Sequence, residues 1–202
     1  MKFNVPKKYF GARYFSTDVY DHYKEDVLSW VQPTARKIYS FLKGISKPKI
    51  LDVGCAHGFL LAELKNKYNA DVSGLEYSDY AIKIAEKSVK SFIKRGNILQ
   101  REKFPKNYFD VVVCFDVFEY LNFEETKKAV HNLINWTKKY IFFTTLYRHS
   151  PQNSQRLNPD QHRVTALSQK EYMKIFLNNR IKFITKFNSC SGFYILVFIK
   201  LI

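Results

Sequence analysis

The hydrophobic and polar positions of this chain alternate between short apolar runs and longer segments with helical spacing. Apolar runs bounded by glycine, proline or polar residues predict five strands, at residues 47–53, 70–76, 92–98, 108–118 and 139–146. Apolar positions three and four residues apart predict helices between them, at residues 58–68, 79–91 and 123–138. Strands that alternate with helices are typical of an α/β domain, and right-handed crossovers make these five strands largely parallel.

The segment before the first strand also has helical spacing. We predict one helix over residues 17–31 and a second over residues 33–43. Pro33 suits the first turn of the second helix, and Gly44 is suited to end it. We therefore expect two helices to precede the sheet.

The segment after the fifth strand predicts a closing hairpin. A long polar loop, residues 148–166, is followed by a capping box that begins at Ser168 and opens a helix to about residue 177. Two further apolar runs, 181–187 and 193–201, flank a short turn and predict two antiparallel strands.

These elements together predict a Rossmann-like, seven-stranded, mostly parallel sheet with helices on both faces and one antiparallel strand from the C-terminal hairpin. We divide the chain into an N-terminal helical lid or cap segment, residues 1–46, and a main domain, residues 47–202, which form one compact domain overall.

Composition and charge narrow the class of protein. The chain has 202 residues and a formal net charge of +15, which would attract nucleic acid or another polyanion, although no nucleic-acid-binding motif accompanies the charge. Three widely spread cysteines without a CxxC pair predict neither a disulfide framework nor a zinc site. Without a signal peptide or a span-length apolar run, we expect a soluble, cytoplasmic protein with no membrane span. The oligomeric state stays open.

A glycine turn follows the first predicted strand, in the stretch ILDVGCAHGFL at residues 50–60. Gly54 and Gly58 allow the backbone to turn tightly and to approach a ligand closely. Glu76 ends the second predicted strand about twenty residues after the turn, where an acid can accept hydrogen bonds from both hydroxyls of a ribose. This combination predicts a site for a cofactor that contains a nucleoside.

Three stretches, ILDVGCAHG, GLEYSDYAIKIAE and FDVVVCFDVFEYL, resemble the class I S-adenosylmethionine-dependent methyltransferases, in the group of small metabolite-type enzymes. The resemblance covers residues 47–202, including the closing hairpin, and Ala56 takes the place of the middle glycine. It implies S-adenosyl-L-methionine as the cofactor. It also implies a set of cofactor-binding residues: Asp52, Gly54, Cys55, Ala56, Gly58, Glu76, Tyr77, Asn97, Ile98, Phe115 and Asp116.

Several of these residues have an ordinary structural alternative. Asp52 could cap the turn, Glu76 could be a solvated strand end, and Tyr77 and Phe115 could be core aromatics. Cys55 is most simply a small residue in a tight turn. His57 could touch the cofactor or face solvent.

A hydroxyl acceptor would need a general base to remove its proton. The candidates for this catalytic role are His149 and His162 in the long loop, and Asp116 and Glu119 after the fourth strand. The loop histidines could equally have no role. The tyrosine-rich N-terminal segment could supply walls of the acceptor pocket, with Tyr9, Tyr14, Tyr20 and Tyr23 as the candidates.

Three functions remain open at this point. The first is methyl transfer to a small molecule, including a sugar or glycan precursor, and the second is methylation of RNA or protein through the basic surface. The third is a non-catalytic cofactor-binding protein or a nicotinamide-binding module. Phe115-Asp116-Val117-Phe118 stands where enzymes that methylate base amino groups have an Asn/Asp-Pro-Pro-Tyr/Phe motif, which disfavours that reaction.

Overall fold

Seven strands form one mixed sheet in the computed structural model, which describes residues 5–16, 23–148, 163, 167–177, 180–188 and 194–201. The strands are β1 (Lys49–Val53), β2 (Asp71–Glu76), β3 (Ile93–Arg95), β4 (Phe109–Phe115), β5 (Thr137–Thr144), β6 (Ile181–Asn188) and β7 (Tyr194–Lys200). Their order across the sheet is β3-β2-β1-β4-β5-β7-β6. The chain moves outward from β1 to β3 and then returns to β4, so the order reverses between β1 and β4. Such a reversal is where ligands bind in open α/β sheets.

The pairings confirm the predicted fold class. β1 to β5 pair in parallel, whereas β7 runs antiparallel to both β5 and β6. Every residue of β4 from Phe109 to Cys114 is buried, as expected for a central strand covered on both faces.

Helices cover both faces of the sheet. They are α1 (Tyr23–Ser40), α2 (Phe59–Tyr68), α3 (Asp79–Ile84), α4 (Phe123–Trp136) and α5 (Gln169–Leu177). On one face, α4 and α5 contribute to a core cluster that includes Leu133 and Phe176, and on the other α1 and α2 contribute Ile38 and Leu61. The predicted capping box of α5 is confirmed, since Glu171 accepts a hydrogen bond from the Ser168 amide and its own amide donates to the Ser168 hydroxyl.

The prediction of two helices before the sheet is wrong in one respect. A single helix, α1, runs through Pro33, and no break separates the two predicted segments. Proline costs one backbone hydrogen bond in a helix interior. Val31, Ala35 and Ile38 are all buried and lie at helical spacing on both sides of the proline. Burial of one continuous apolar face therefore outweighs the lost hydrogen bond.

The third predicted helix is shorter than its periodicity suggested. α3 ends at Ile84, and the amide of Glu86 donates to the carbonyl of His57 at 2.9 Å. This bond diverts the backbone toward the glycine turn, so residues 85–91 brace the turn rather than continue the helix. Among the described ranges, no helix is both long and apolar enough to cross a membrane.

Candidate active site

The glycine turn after β1 is built on three residues with left-handed backbone conformation. Gly54 has φ of 77°, Ala56 of 45° and Gly58 of 77°. The Gly54 amide donates to the Leu75 carbonyl at 2.7 Å, which fixes the turn against the end of β2. A Cβ atom at Gly54 would collide with the Val117 side chain, so glycine is required there for space as well as for φ.

Glu76 is the acid at the end of β2, and its carboxylate is buried beneath the turn. Oε2 accepts the amide hydrogen of Ala56 at 2.8 Å, and Oε1 accepts that of Ser78 at 2.6 Å. Burial raises the pKa of Glu76, while the backbone amides of Ser78, Ala56 and Tyr77 act in the opposite direction. The interpretation of Glu76 as a solvated strand end is therefore wrong, since only 7% of its surface is exposed.

Asp52 lies on β1 directly before the turn and is also buried. Burial raises the pKa of Asp52 to about 7, and the negative charge of Glu76 contributes in the same direction. The free site therefore holds two close acids whose ionised forms are costly. A ligand that brings positive charge or hydrogen-bond donors would stabilise them.

The segment after β3 forms a tight polar turn. The side-chain carbonyl of Asn97 accepts a hydrogen bond from the backbone amide of Leu99 at 2.6 Å. The backbone amide of Asn97 donates to Gln100 Oε1 at 3.1 Å. One lone pair of this carbonyl oxygen thus holds the turn together. Ile98 is buried beside it and presents an apolar wall.

The segment after β4 carries two further acids. Asp116 adopts φ of 53°, and its amide donates to the Thr144 carbonyl at 3.1 Å, which anchors it to β5. Glu119 is buried and accepts a hydrogen bond from the Thr145 hydroxyl at 2.6 Å. The side chain of Asp116 is exposed and lines the cavity. Burial and the charge of Glu119 raise the pKa of Asp116 to about 7, against the opposing charge of Arg163.

An N-terminal aromatic cap, defined here as Phe10, Tyr14 and Phe15, covers the ends of these strands. The hydroxyls of Tyr14 and Tyr120 are hydrogen-bonded at 2.8 Å. The Phe10 ring lies 5.1 Å from that of Tyr120, and its backbone carbonyl accepts a hydrogen bond from the Ser78 hydroxyl. The cap therefore contacts both the β2 end and the β4 end of the site.

His57 is covered by the same cap. Its ring lies 4.6 Å from the ring of Phe15, and burial lowers its pKa to about 4. The solvent-facing alternative for His57 is wrong, because this residue is 9% exposed. It is a neutral packing residue beneath Phe15 at neutral pH.

A cavity of about 370 Å³ lies between the strand ends and the cap. It brings together ten residues that the sequence assigned to cofactor binding: Asp52, Gly54, Cys55, Ala56, Glu76, Tyr77, Asn97, Ile98, Phe115 and Asp116. Gly58 is the exception, since it lies at the start of α2, where a Cβ atom would come within 3.0 Å of Val89. His149 and His162 lie outside the described residues.

Several lining residues were missed by the sequence analysis. Asp26 and Trp30 come from α1, Leu146 follows β5, and Arg163 stands in the predicted long loop. The aromatic richness of the N-terminal segment was a usable signal for Phe10 and Phe15. The helical spacing of α1 did not predict that Asp26 and Trp30 line the cavity, because the periodicity of apolar residues does not distinguish a helix face that borders a cavity from one that packs in the core.

The fold and the cavity define an α/β protein with a candidate site for a nucleoside-containing ligand at the switch point of its sheet. Residues 50–140 match a family model described as a methyltransferase domain. The chain is 27% identical over 121 residues to a ubiquinone biosynthesis O-methyltransferase of Nitrosomonas europaea, covering 55% of this chain and 49% of that protein. It is also 27% identical over 107 residues to a phosphoethanolamine N-methyltransferase of Plasmodium falciparum, covering 51% and 40% respectively. The chain thus spans about half the length of the curated relatives it matches.

Solved structures share the whole architecture. Magnesium protoporphyrin IX methyltransferase from Synechocystis PCC 6803 with bound S-adenosylhomocysteine superposes with a TM-score of 0.75 at 16% identity, over 96% of this chain and 98% of that one. DesVI of Streptomyces venezuelae gives a TM-score of 0.71 at 17% identity, over 91% and 98%. At such identities these structures show a common fold. Residues 50–140 thus form a methyltransferase domain, and the chain as a whole has the fold of the class I S-adenosylmethionine-dependent methyltransferases.

Proposed function

We propose that this chain transfers the methyl group of S-adenosylmethionine to a small-molecule acceptor held in the cavity. The observation that carries the proposal is a cavity at the switch point that joins buried acids, the glycine turn and the aromatic cap. The named acceptors of the relatives, in ubiquinone biosynthesis and phosphoethanolamine methylation, are small molecules as well. A sugar or glycan precursor falls within this acceptor class.

The residues of the cavity fit this cofactor chemically. Each carboxylate oxygen of Glu76 accepts one hydrogen bond from a backbone amide. Each oxygen has a further lone pair that can accept a hydrogen bond from a ribose hydroxyl. Asp52, whose ionisation is opposed by burial, gains from a ligand that carries positive charge. Tyr77 and Ile98 provide apolar surface for an adenine ring beside the turn at Asn97. When bound, the cofactor supplies an electrophilic methyl group on a positively charged sulfur.

The chain contributes alignment and enclosure to the reaction. Methyl transfer is an in-line displacement, so the rate depends on holding donor and acceptor in one orientation. The end of β4, with Phe115 and Asp116, faces the cavity opposite Glu76 and is suited to hold the acceptor. The N-terminal segment, residues 1–46, acts as a lid or cap in this proposal, and the contacts of Phe10 and Tyr14 with the site support that role.

Calorimetry with three ligands tests the proposed function. We expect S-adenosylmethionine and S-adenosylhomocysteine to bind, whereas NAD should not bind. Binding of NAD with no binding of either methionine nucleoside would contradict the proposal. Binding of both nucleosides without methylation of any small molecule would leave a cofactor-binding protein without catalysis.

A further inference from the structure

The cavity differs in charge from the rest of the protein. The whole sequence has 33 lysine and arginine residues against 18 aspartate and glutamate residues. Among the described residues that line the cavity, five are acidic and one, Arg163, is basic; the acids are Asp26, Asp52, Glu76, Asp116 and Glu119. A strongly cationic chain thus encloses an anionic cavity, which selects for positively charged ligands.

The five acids fall into two groups along the sheet. Asp52 and Glu76 stand at β1 and β2, where the proposed function uses them for the cofactor. The other three form the second group and line the cavity from elsewhere: Asp116 and Glu119 follow β4 and lie close enough for the charge of Glu119 to act on Asp116, and Asp26 lies on α1. The cofactor needs the first group, so the second group remains for the acceptor.

Asp116 is the member of this group best suited to meet a ligand. Its left-handed backbone and the hydrogen bond from its amide to Thr144 fix its position at the end of β4. Its side chain keeps exposed surface while lining the cavity. Glu119, by contrast, is 2% exposed and accepts a hydrogen bond from Thr145, so its contribution near Asp116 is negative charge.

Apolar surface borders the second group of acids. The rings of Trp30 and Phe115 meet edge to face at 6.0 Å, and both line the cavity with Val27 and Leu146. Aromatic faces attract cations as well as apolar groups. Carboxylates beside aromatic rings therefore fit a molecule with a positively charged head and an apolar body.

We infer that the acceptor is an amine with an apolar body, methylated on nitrogen, and that Asp116 binds its ammonium group and takes its proton. This inference rests on the proposed function, whose cavity it uses. A phosphate or carboxylate acceptor would meet three acids there with one arginine to balance them.

The ammonium group of the acceptor gives one proton to the Asp116 carboxylate, which frees the nitrogen lone pair. That lone pair forms the new nitrogen–carbon bond while the carbon–sulfur bond breaks, and its electron pair stays on sulfur. The products are a methylated ammonium ion and S-adenosylhomocysteine, and Asp116 returns its proton to solvent.

Three compounds of similar shape and different charge test this inference on the full chain saturated with S-adenosylhomocysteine. They are phenethylamine, phenethyl alcohol and hydrocinnamate, each measured by thermal shift and by calorimetry. We expect the amine to bind more tightly than either analogue. Asp116→Asn should weaken amine binding about tenfold, the cost of losing one charged partner, and leave the alcohol unchanged. Glu124→Gln, which removes an acid whose side chain is 71% exposed on α4, is the matched control.

The readouts keep the two proposals apart. If S-adenosylhomocysteine itself does not bind, the proposed function fails. If it binds but phenethylamine binds no better than hydrocinnamate, or binds equally to the Asp116→Asn variant, the amine assignment is overturned. Mass-spectrometric detection of methylated phenethylamine, lost in Asp116→Asn and kept in Glu124→Gln, would support it.

Discussion

The carboxylate of Glu76 connects the glycine turn to the segment after β2, because it accepts hydrogen bonds from the backbone amides of Ala56 and Ser78. Glu76→Gln keeps the shape but replaces one acceptor oxygen with an amide group that faces a backbone N–H. We expect S-adenosylhomocysteine binding to weaken by about 1–3 kcal/mol, because a charged acceptor is lost and a buried donor is left unpaired. Calorimetry measures the change, and Glu124→Gln on the surface of α4 should bind normally. Unchanged affinity in Glu76→Gln would contradict the ribose-binding role.

The raised pKa of Asp52 predicts that the stability of the free protein depends on pH. Its pKa of about 7 in the folded protein lies above the ordinary value of 3.8, so the folded state binds this proton more tightly than the unfolded state does. The stability of the free protein should therefore fall as pH rises from about 4 to about 7, by a contribution that Asp52→Asn removes.

The expected difference has a clear direction. Asp52→Asn should stabilise the free protein by roughly 2–4 kcal/mol at about pH 8 and have little effect below about pH 3, where the carboxyl is mostly protonated in both states. Denaturant unfolding at the two pH values measures it. A variant less stable than the parent at the higher pH would show that Asp52 stabilises the fold when ionised.

For single residues, the sequence predicted where the site lies along the chain, but it did not predict which neighbours each side chain contacts. The spacing of the turn and Glu76 located the site because period and motif fix where strands end. The same spacing did not predict that the Asn97 carbonyl accepts a hydrogen bond from Leu99. Nor did it predict that Gly58 packs closely against Val89. Both depend on neighbours from distant segments.

The N-terminal aromatic cap gives a prediction at the scale of an element. The hydrogen bond between Tyr14 and Tyr120 ties the cap to the segment after β4. Tyr14→Phe removes this bond while keeping the ring, so we expect S-adenosylhomocysteine to dissociate about two- to tenfold faster. Stopped-flow displacement measures the rate.

Two further variants make this test specific. Tyr120→Phe should have the same effect, and the double variant should add nothing, because both changes remove one shared bond. Tyr108→Phe, on an exposed tyrosine at the start of β4 and away from the cavity, is the control. Additive effects of Tyr14→Phe and Tyr120→Phe would mean that the two hydroxyls act separately.

The helices show where local rules give way to packing. Pro33 predicted a helix start, yet α1 continues through it because Val31 and Ile38 are buried on one face. The spacing of residues 79–91 predicted one helix, yet a bond from Glu86 to the glycine turn ends α3 early. The sheet was more predictable, since continuous apolar runs such as β4 admit few alternatives.

At the scale of the whole molecule, the mostly parallel sheet and its antiparallel closing strand followed from the order of elements and the crossover rule, whereas the strand order came only from the structure. The cavity did not, because its lining comes from the N-terminal aromatic cap, α1, the start of α2, the segments that end or follow β1 to β5, and Arg163, which are far apart in sequence. The contrast between a basic surface and an acidic cavity likewise emerges only when the chain is folded. That contrast bears on the alternative of RNA methylation.

The net charge of +15 predicts how the protein meets RNA. A short single-stranded RNA should bind at low ionic strength through dispersed lysines, and its affinity should fall steeply as salt releases counterions. The cavity acids would repel phosphate groups, so we expect bound S-adenosylhomocysteine to leave the RNA affinity unchanged and Asp116→Asn to have no effect on it. Fluorescence anisotropy with and without the nucleoside measures both affinities. Methylation of the RNA, or weaker RNA binding in Asp116→Asn, would instead favour an RNA methyltransferase, since either would mean that the nucleic acid enters the acidic cavity despite its charge.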